Sequence, residues 1–267
     1  MRRYRVTDGK DFALAKWDPA DTSAFDGGKA DARAELAKMT AQLDDLQEKF
    51  YADNRHKLLV VLQGTDTAGK GGAIRKVFEG VNPAGVQVAS FKAPTEAELA
   101  HDFLWRVHPH APANGQIAIF DRSHYEDVLI VRVHDLVPPK RWRARYTHIR
   151  NFEKMLADEG TTILKFFLHI SKDEQAERLR ARLENPAKHW KFRVGDLEER
   201  ELWDAYQDAY EEAIRRTAAS HAPWIVVPAN RKWYRDLVIC ETLIHTLERL
   251  DLRYPAPVDD LSGIVIE

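Results

Sequence analysis

The stretch KLLVVLQGTDTAGKGG, residues 57–72, limits the folds open to this chain more than any other part of it. Its apolar run Leu58–Leu62 is typical of a strand buried in a parallel sheet. Glycines and a lysine follow at the spacing G-x-x-x-x-G-K, and a helix-like segment continues through Val81. In this context the glycines let backbone N–H groups face phosphate oxygens, and the helix N-terminus adds positive potential. The predicted phosphate ligands are Gly64, Thr67, Ala68, Gly69, Lys70 and Gly71. A glycine-rich turn without a ligand is the alternative.

Two residues of this loop depart from the usual pattern. Gly71 stands where Ser or Thr normally offers a hydroxyl to Mg²⁺, and Asp66 places a negative charge where phosphate is expected. A Mg²⁺ ion held by Asp66 would account for both, because it replaces the hydroxyl and turns repulsion into attraction. The alternative is that Asp66 caps the turn through its own backbone. In the following helix, Arg75 is either a further phosphate ligand or part of a solvated basic face.

Acidic and basic residues also follow the third predicted strand, Gly115–Phe120. Ligands of open α/β sheets bind at the carboxyl ends of strands, and an acidic residue there can hold Mg²⁺ directly or through water. That residue is Asp121. Arg122 beside it can clamp a phosphoryl group through two parallel hydrogen bonds, and Glu126 and Asp127 add carboxylate oxygens. The predicted metal ligands are Asp66, Asp121 and Glu126. A helix-capping acidic turn is the alternative, chiefly for Asp127.

A basic segment interrupts two predicted helices in the second half of the chain. Arg178 and Arg182 lie four positions apart on one helix face, and Asn185-Pro186 ends that helix. The basic and aromatic sequence KHWKFR, residues 188–193, follows before the next helix. This arrangement is typical of a lid that closes over phosphates and excludes water, and we expect the lid at about 178–200. Its predicted phosphate ligands are Arg178, Arg182, Lys188 and Arg193. A solvated charged connection is the alternative.

The composition restricts the class of protein. The 267 residues suit one large α/β domain with a lid and an N-terminal extension at 1–28. The net charge of −2 means that a polyanion site must be local, so we expect no nucleic-acid binding. The single cysteine excludes a disulfide within the chain. Because the sequence has neither a signal peptide nor an apolar run of about 18 residues, we expect a cytoplasmic protein without a membrane span.

Alternating strands and helices predict the fold class. The strands are expected at 58–62, 86–91, 115–120, 161–170 and 223–227. They predict an α/β fold: a three-layer α/β/α sandwich with a parallel five-stranded sheet, of the P-loop kinase kind. By analogy with that class, the predicted strand order is 2-3-1-4-5. A single helix is predicted over Asp196–Thr217, and Phe103–Trp105 are predicted to be helical core rather than a base-stacking platform. The apolar end GIVIE is expected to be a docking strand or an oligomer contact.

The sequence resembles the family-2 polyphosphate kinases. The similarity is carried by GTDTAGKGG, FDRSHYED and ENPAKHWKFRVGDLEER and by the spacing between them, and it covers roughly Asp18 to Tyr254. It implies a P-loop kinase-like enzyme that moves a phosphoryl group reversibly between inorganic polyphosphate and a nucleotide, with Mg²⁺ or Mn²⁺. The subgroup that it is most similar to accepts AMP and ADP, and guanine nucleotides are further candidates. The resemblance also implies a homo-oligomer, a dimer or a tetramer.

The resemblance implies roles for individual residues. Asp66 is similar to the family's metal- and acceptor-coordinating aspartate, Lys70 to its phosphate-loop lysine, and Glu126 to the acidic residue beyond the second strand end. Many relatives carry Asn where this chain has Asp121, so the resemblance does not require Asp121 to bind metal directly. The basic lid is implied to face polyphosphate. The residues expected to act in catalysis are Asp66, Lys70, Asp121, Arg122 and Arg193.

Two other functions are compatible with a phosphate loop. An ATP-dependent kinase of a small hydroxyl substrate would need a general base and a hydroxyl residue after the lysine, and Gly71 counts against it. A nucleotide-dependent regulatory switch would carry the base-reading motif N-K-x-D, which Asn230-Arg231-Lys232-Trp233 does not match. Activity of the purified protein with polyphosphate and ADP separates these alternatives.

Overall fold

The computed structural model describes residues 2–262 and 264–266. Its strands are β1 (Arg5–Val6), β2 (Lys57–Gln63), β3 (Val86–Ser90), β4 (Ile117–Asp121), β5 (Thr161–His169) and β6 (Trp224–Pro228). Its α-helices are α1 (Lys29–Asp53), α2 (Lys70–Val77), α3 (Glu96–Leu99), α4 (Ile130–Val133), α5 (Pro139–Asp158), α6 (Lys172–Leu183), α7 (Gly195–Glu201), α8 (Trp203–Thr217) and α9 (Lys232–Glu248).

The strands form one sheet in the order β1-β6-β5-β2-β4-β3. The phosphate-loop strand β2 lies at its centre, with Val60 opposite Ile119 of β4 on one side and Leu164 of β5 on the other. Among β2 to β6 the order is the predicted 2-3-1-4-5, and all their pairings are parallel. The carboxyl ends of β2 and β4 therefore meet at one edge of the sheet, where the loop and the acidic turn were expected to lie.

The predicted five-stranded sheet is corrected to six strands in the described part of the chain. Arg5 and Val6 pair antiparallel with Ile225 and Trp224 of β6. This short strand covers an edge whose N–H and C=O groups would otherwise be exposed. The N-terminal extension is thus built into the sheet, and Tyr4 is buried there with its hydroxyl 2.5 Å from that of Tyr234.

Helices cover both faces of the sheet, which confirms the three-layer sandwich. Side chains of β2 alternate between the faces, so Val60 packs into one hydrophobic cluster and Val61 into the other. The first cluster is shared with α1 and α9, which contribute Leu43 and Leu243. The second is shared with α5 and α8. Because both faces are buried, β2 reads as an unbroken apolar run instead of an alternating one.

Three local predictions are wrong. The helix expected over Asp196–Thr217 is divided at Leu202 into α7 and α8. The helix after Thr95 ends at Leu99, so Phe103–Trp105 lie in turns. Trp105 is 45% exposed and stacks on His101 with ring centroids 4.1 Å apart, so it is not a core residue. Phe103 and Leu104 do pack against the second cluster, as predicted.

The C-terminal tail packs on the domain as far as Leu252, which is buried in the first cluster, and is exposed from Arg253 to Ser262. Ile264, Val265 and Ile266 are exposed and form no strand within the chain. The other two residues of the apolar GIVIE, Gly263 and Glu267, lie outside the described residues, as does Met1. Across 2–262 and 264–266, no helix combines the length and the apolar character that a membrane crossing requires.

Candidate active site

The loop between β2 and α2 has the backbone expected of a phosphate cradle. Gly64 has φ +157° and Gly69 has φ +101°, and Thr67 adopts φ +64°. A Cβ on Gly64 would lie 2.9 Å from the carbonyl oxygen of Leu168, so this position requires glycine. Gly69 precedes α2 directly and leaves the first N–H groups of that helix without intrahelical acceptors. The loop is therefore shaped to receive an anion.

Lys70 folds back over this loop. Its Nζ donates a hydrogen bond to the Gly64 carbonyl oxygen at 2.7 Å. Burial and the nearby Arg122 lower the pKa of Lys70, whereas the carboxylates of Asp66, Asp121 and Glu126 oppose that shift. The structure thus brings the predicted lysine together with three predicted acidic residues.

The turn after β4 meets the loop across the sheet edge. The Arg122 N–H donates to the Leu62 carbonyl oxygen at 3.1 Å, and Arg122 adopts the left-handed φ of +65° that is uncommon for a residue with a side chain. This conformation directs the guanidinium to the loop, where Nη2 lies 3.3 Å from Asp66 Oδ1. Strained backbone of this kind is held only where the surrounding structure enforces it, and it is concentrated at functional sites.

Glu126 lies beside the same cluster. Burial raises the pKa of its carboxyl group, while Arg122 and Lys70 lower it and Asp66 adds to the increase. Tyr206 and Tyr210 of α8 lie within electrostatic reach of the same carboxylates. Burial raises the pKa of Tyr210, and Glu126 and Asp66 are among the charges that act on it. Five predicted site residues therefore lie within electrostatic reach of one another: Asp66, Lys70, Asp121, Arg122 and Glu126.

The predicted metal ligands suit Mg²⁺ without forming a closed cage. Among the described residues, no three His, Cys, Asp or Glu side chains converge closely enough to form a metal site by themselves. Mg²⁺ commonly takes one or two carboxylates and completes its octahedron with water and substrate phosphates. Asp66 is one-third exposed, and Asp121 Oδ2 lies 3.9 Å from the point where a Gly71 Cβ would stand. Carboxylate oxygens are thus available beside the loop.

The lid, residues 178–200, consists of the end of α6, a 3₁₀ turn at Pro186–Lys191 and α7. Lys188 and Arg193 are exposed on it. Arg182 is half-buried and donates to the Lys191 carbonyl oxygen at 3.2 Å and towards Asp196 Oδ2 at 3.5 Å. Burial raises the pKa of Asp196, and the Asp66 carboxylate contributes to the increase, so this part of the lid lies within electrostatic reach of the phosphate loop. Arg75 is exposed on α2.

Arg178 does not occupy the position that was predicted for it. Its side chain is buried, and its Nη1 donates to the carbonyl oxygens of Thr67 and Ala68, each at 2.9 Å. Its other nitrogens donate to the Glu174 carboxylate and to carbonyl oxygens after β6. These contacts do not support the predicted role of Arg178 as a polyphosphate ligand in the lid, because its donors are directed at protein oxygens.

Sequence reasoning missed Arg235, in the first turns of α9. It is buried, and its Nη1 donates to the Gly69 carbonyl oxygen at 3.1 Å. Lys232, one turn earlier, lies within electrostatic reach of Arg178, Arg235 and the lid residue Lys188, and burial and these cations lower its pKa. Both positions lie in an amphipathic helix far from any phosphate motif, so no local sequence signal indicates them.

Comparison with known proteins agrees with this geometry. The family model described as polyphosphate kinase 2 matches residues 27–255. The chain is 60% identical over its whole length, and over the whole length of the relative, to an AMP/ADP-polyphosphate phosphotransferase from Meiothermus ruber. It is 44% identical to an ADP-polyphosphate phosphotransferase from Rhodopseudomonas palustris, over 95% of this chain and 92% of the relative.

A solved structure extends the similarity to the fold. The crystal structure of polyphosphate kinase 2 from Arthrobacter aurescens TC1 superposes with a TM-score of 0.93 at 47% identity. The alignment covers 96% of this chain and 92% of that structure. With the loop, the acidic strand end and the lid in one continuous match, the chain belongs to the polyphosphate kinase 2 family.

Proposed function

We propose that this protein transfers a phosphoryl group reversibly between inorganic polyphosphate and adenine nucleotides, from polyphosphate to ADP and to AMP, with Mg²⁺. The observation that supports it best is the meeting of Asp66, Lys70 and Arg122 at one sheet edge. The family assignment agrees with a phosphotransferase, and the full-length relative named for both AMP and ADP favours use of both acceptors.

Phosphoryl transfer depends on positioning the substrates and neutralising their charge more than on covalent catalysis. A phosphoryl group in transfer spreads negative charge over its oxygens, so fixed donors around it stabilise the transition state. Lys70 lies over the loop, and the Arg122 guanidinium reaches the same point from the turn after β4. Because the acceptor is already a phosphate oxyanion, no strong general base is required.

The proposed metal site uses residues that lie beside the loop. Asp66 would hold Mg²⁺, with Asp121 or Glu126 as further oxygen donors, and the bound ion would neutralise charge between donor and acceptor phosphates. Mn²⁺ is expected to replace Mg²⁺, because it accepts the same ligand types. Without a cation, Asp66 would repel the phosphates that the loop attracts.

The lid supplies cations in excess of what one nucleotide needs. Lys188 and Arg193 are exposed on it, and Lys232 lies nearby on α9. Such a tract fits a long polyanion that extends past the loop, whose attraction to exposed cations is weakened by salt. We place polyphosphate along this tract, with its terminal group over the loop. We further propose one P-loop domain with this lid, acting in the cytoplasm as a homo-oligomer.

A substrate matrix tests the proposal. Purified protein is incubated with polyphosphate and each of AMP, ADP, GMP and GDP, with Mg²⁺, with Mn²⁺ and with EDTA. We expect ATP from ADP and ADP from AMP with either cation, and no product with EDTA. The guanine nucleotides establish base preference. Absence of polyphosphate-dependent product, or turnover of ATP with a hydroxyl substrate instead, would contradict the proposal.

Lid variants test where polyphosphate binds. Lys188→Ala and Arg193→Ala should raise the KM for polyphosphate several-fold, with a weaker dependence on salt, because an exposed cation is lost. Lys38→Ala, an exposed lysine on α1, is the matched control and should change neither value. Equal KM values in the lid variants and the control would show that polyphosphate does not bind along the lid.

Size-exclusion chromatography with light scattering measures the expected dimer or tetramer.

A further inference from the structure

Two buried arginines lie beneath the phosphate loop. Arg178 comes from α6 and is 7% exposed, and Arg235 comes from α9 and is 3% exposed. Both guanidinium groups approach Gly69, since a Cβ added there would overlap Arg235 Nη1 and would lie 3.7 Å from Arg178 Nη1. Buried cations without a substrate contact need an explanation, because removing a charge from water is costly.

Together the two arginines bind three successive carbonyl oxygens of the loop. Arg178 Nη1 donates to Thr67 and Ala68 at 2.9 Å each, and Arg235 Nη1 donates to Gly69 at 3.1 Å. Within one planar peptide unit the C=O and the N–H point in opposite directions, so carbonyls held on the inner side turn the N–H groups that follow them towards the phosphate side. Gly69 is also required here for close approach, in addition to its positive φ.

Each guanidinium has its own carboxylate partner. Arg178 Nε donates to Glu174 Oε1 at 2.6 Å, and Arg235 donates from Nε and Nη2 to Asp236 Oδ1 at 2.8 and 2.6 Å. Burial raises the pKa of Asp236, and the Arg235 charge opposes that increase. The partners offset part of the desolvation cost and fix both guanidinium planes. Arg178 also donates to the Ala229 carbonyl oxygen, which ties the loop to the end of β6.

We propose that Arg178 and Arg235 are positioning residues, which hold the Thr67–Gly69 backbone in its phosphate-binding conformation from the side opposite the substrate. The inference rests on the proposed function in so far as phosphate binds this loop. Because α6 continues into the lid, Arg178 also links the start of the lid to the loop. Neither arginine is assigned a contact with substrate.

Conservative variants separate positioning from general stability. Arg235→Lys and Arg178→Lys keep the positive charge and remove the planar fork that reaches the carbonyl oxygens. Arg235→Met with Asp236→Asn removes both charges of one pair and so avoids an unpaired buried carboxylate. Arg55→Lys is the matched control, since Arg55 makes a two-bond pair with Asp53 at the amino end of β2, away from the loop.

Two measurements are made on each full-length variant. Amide hydrogen exchange without substrate reports the loop, residues 64–72, against the strands β2 and β5. We expect loop exchange to become about tenfold faster in both lysine variants and in the double variant while the strands are unchanged, because local opening is independent of global unfolding. Steady-state kinetics should show kcat/KM for ADP lowered by about 10²-fold, since displacement of about 1 Å near reacting groups has effects of this size.

The outcomes are distinct. Localised loop exchange with lowered kcat/KM in the arginine variants, and neither change in Arg55→Lys, would support the proposal. Unchanged loop exchange in folded Arg235→Lys and Arg178→Lys would overturn it, as would faster exchange spread equally over the sheet. If one variant does not fold, the other two decide. Absence of phosphotransfer in the unmodified protein would reject the proposed function, whereas the exchange measurement would still judge the role of the arginines.

Discussion

Asp66 Oδ1 and Arg122 Nη2 lie 3.3 Å apart, although 56 positions separate them in the sequence. The sheet brings them together, because Leu62 at the end of β2 pairs with Asp121 at the end of β4. Their side chains are 33% and 42% exposed, so the pair is partly open to solvent and adds little to stability by itself. In the proposed function, the carboxylate would bind the metal ion and the guanidinium would bind the phosphoryl group.

Replacement of Asp66 tests that relationship. Asp66→Asn keeps the shape of the side chain and removes its charge, so we expect kcat to fall by about 10²–10³-fold while the melting temperature is unchanged. Asp45→Asn, on the exposed face of α1, is the control and should retain full activity. Turnover with polyphosphate and ADP is measured beside thermal unfolding. Near-normal turnover in Asp66→Asn would show that the loop works without this carboxylate.

Replacing Gly71 by serine would restore the hydroxyl that usually follows the lysine of a phosphate loop. Its Cβ would meet only Asp121 Oδ2, at 3.9 Å, so Gly71→Ala and Gly71→Ser should both fold and gain up to about 1 kcal/mol of stability from lower chain entropy. Gly71→Ser adds an oxygen ligand next to the Asp121 carboxylate. We expect the Mg²⁺ concentration for half-maximal activity to fall in the serine variant and to stay unchanged in the alanine variant. Identical Mg²⁺ titrations for the two variants would contradict this expectation.

Variants of the buried ion pair Lys165–Glu153 test how much this pair contributes to the stability of the core beneath the acidic turn. Lys165 Nζ donates to Glu153 Oε2 at 2.7 Å and to the Tyr125 hydroxyl at 2.9 Å, and both charged side chains are fully buried. Lys165→Met leaves the carboxylate unpaired, so we expect the free energy of unfolding to fall by about 3–5 kcal/mol. Adding Glu153→Gln should recover part of that loss.

A surface lysine is the control for this measurement. Lys154 pairs with Asp158 on the exposed face of α5, so Lys154→Met should lower the free energy of unfolding by at most about 1 kcal/mol. Urea titrations of the three variants and the unmodified protein give the comparison. Equal losses for Lys165→Met and Lys154→Met would mean that the buried pair carries no special cost.

The contact between His169 and Trp17, which attaches the N-terminal segment to the sheet, should be sensitive to acid. Its Nε2 donates to the Trp17 carbonyl oxygen at 3.0 Å, and burial lowers the pKa of its imidazole to about 4. Because the folded pKa lies below the unfolded value of about 6.5, this contribution is fully present above pH 6.5 and is lost as the pH falls towards 4. The largest loss is about 3 kcal/mol.

The comparison of two histidine variants isolates this effect. His169→Gln keeps a donor for Trp17 and does not titrate, so its unfolding free energy should depend less on pH between about 7 and 4.5. His148→Gln, at an exposed position on α5, should retain the slope of the unmodified protein. Parallel pH profiles for all three proteins would exclude His169 as the titrating group.

Local pattern was sufficient for the elements that carry the site. The apolar run Leu58–Leu62, the glycine spacing and Asp121 at a strand end reflect local backbone conformation and burial of both sheet faces. Each of these leaves a recognisable pattern within a short stretch of sequence. The strand order followed by analogy with other P-loop kinases and is confirmed. The break at Leu202 and the pairing of Arg5 with Ile225 were missed, because neither has a strong local signal.

The sequence by itself determined the class of chemistry: a phosphate loop, an acidic and basic turn, and an excess of cations near them. Only the tertiary structure decided what each cation does. Arg178 and Arg182 share one helix face, yet Arg178 is buried against loop carbonyl oxygens and Arg182 stays half-exposed in the lid. Arg235 reaches the same loop from 166 positions away. Helical periodicity says which residues share a face, but the partner of that face is set by packing between distant segments, which the local sequence does not encode.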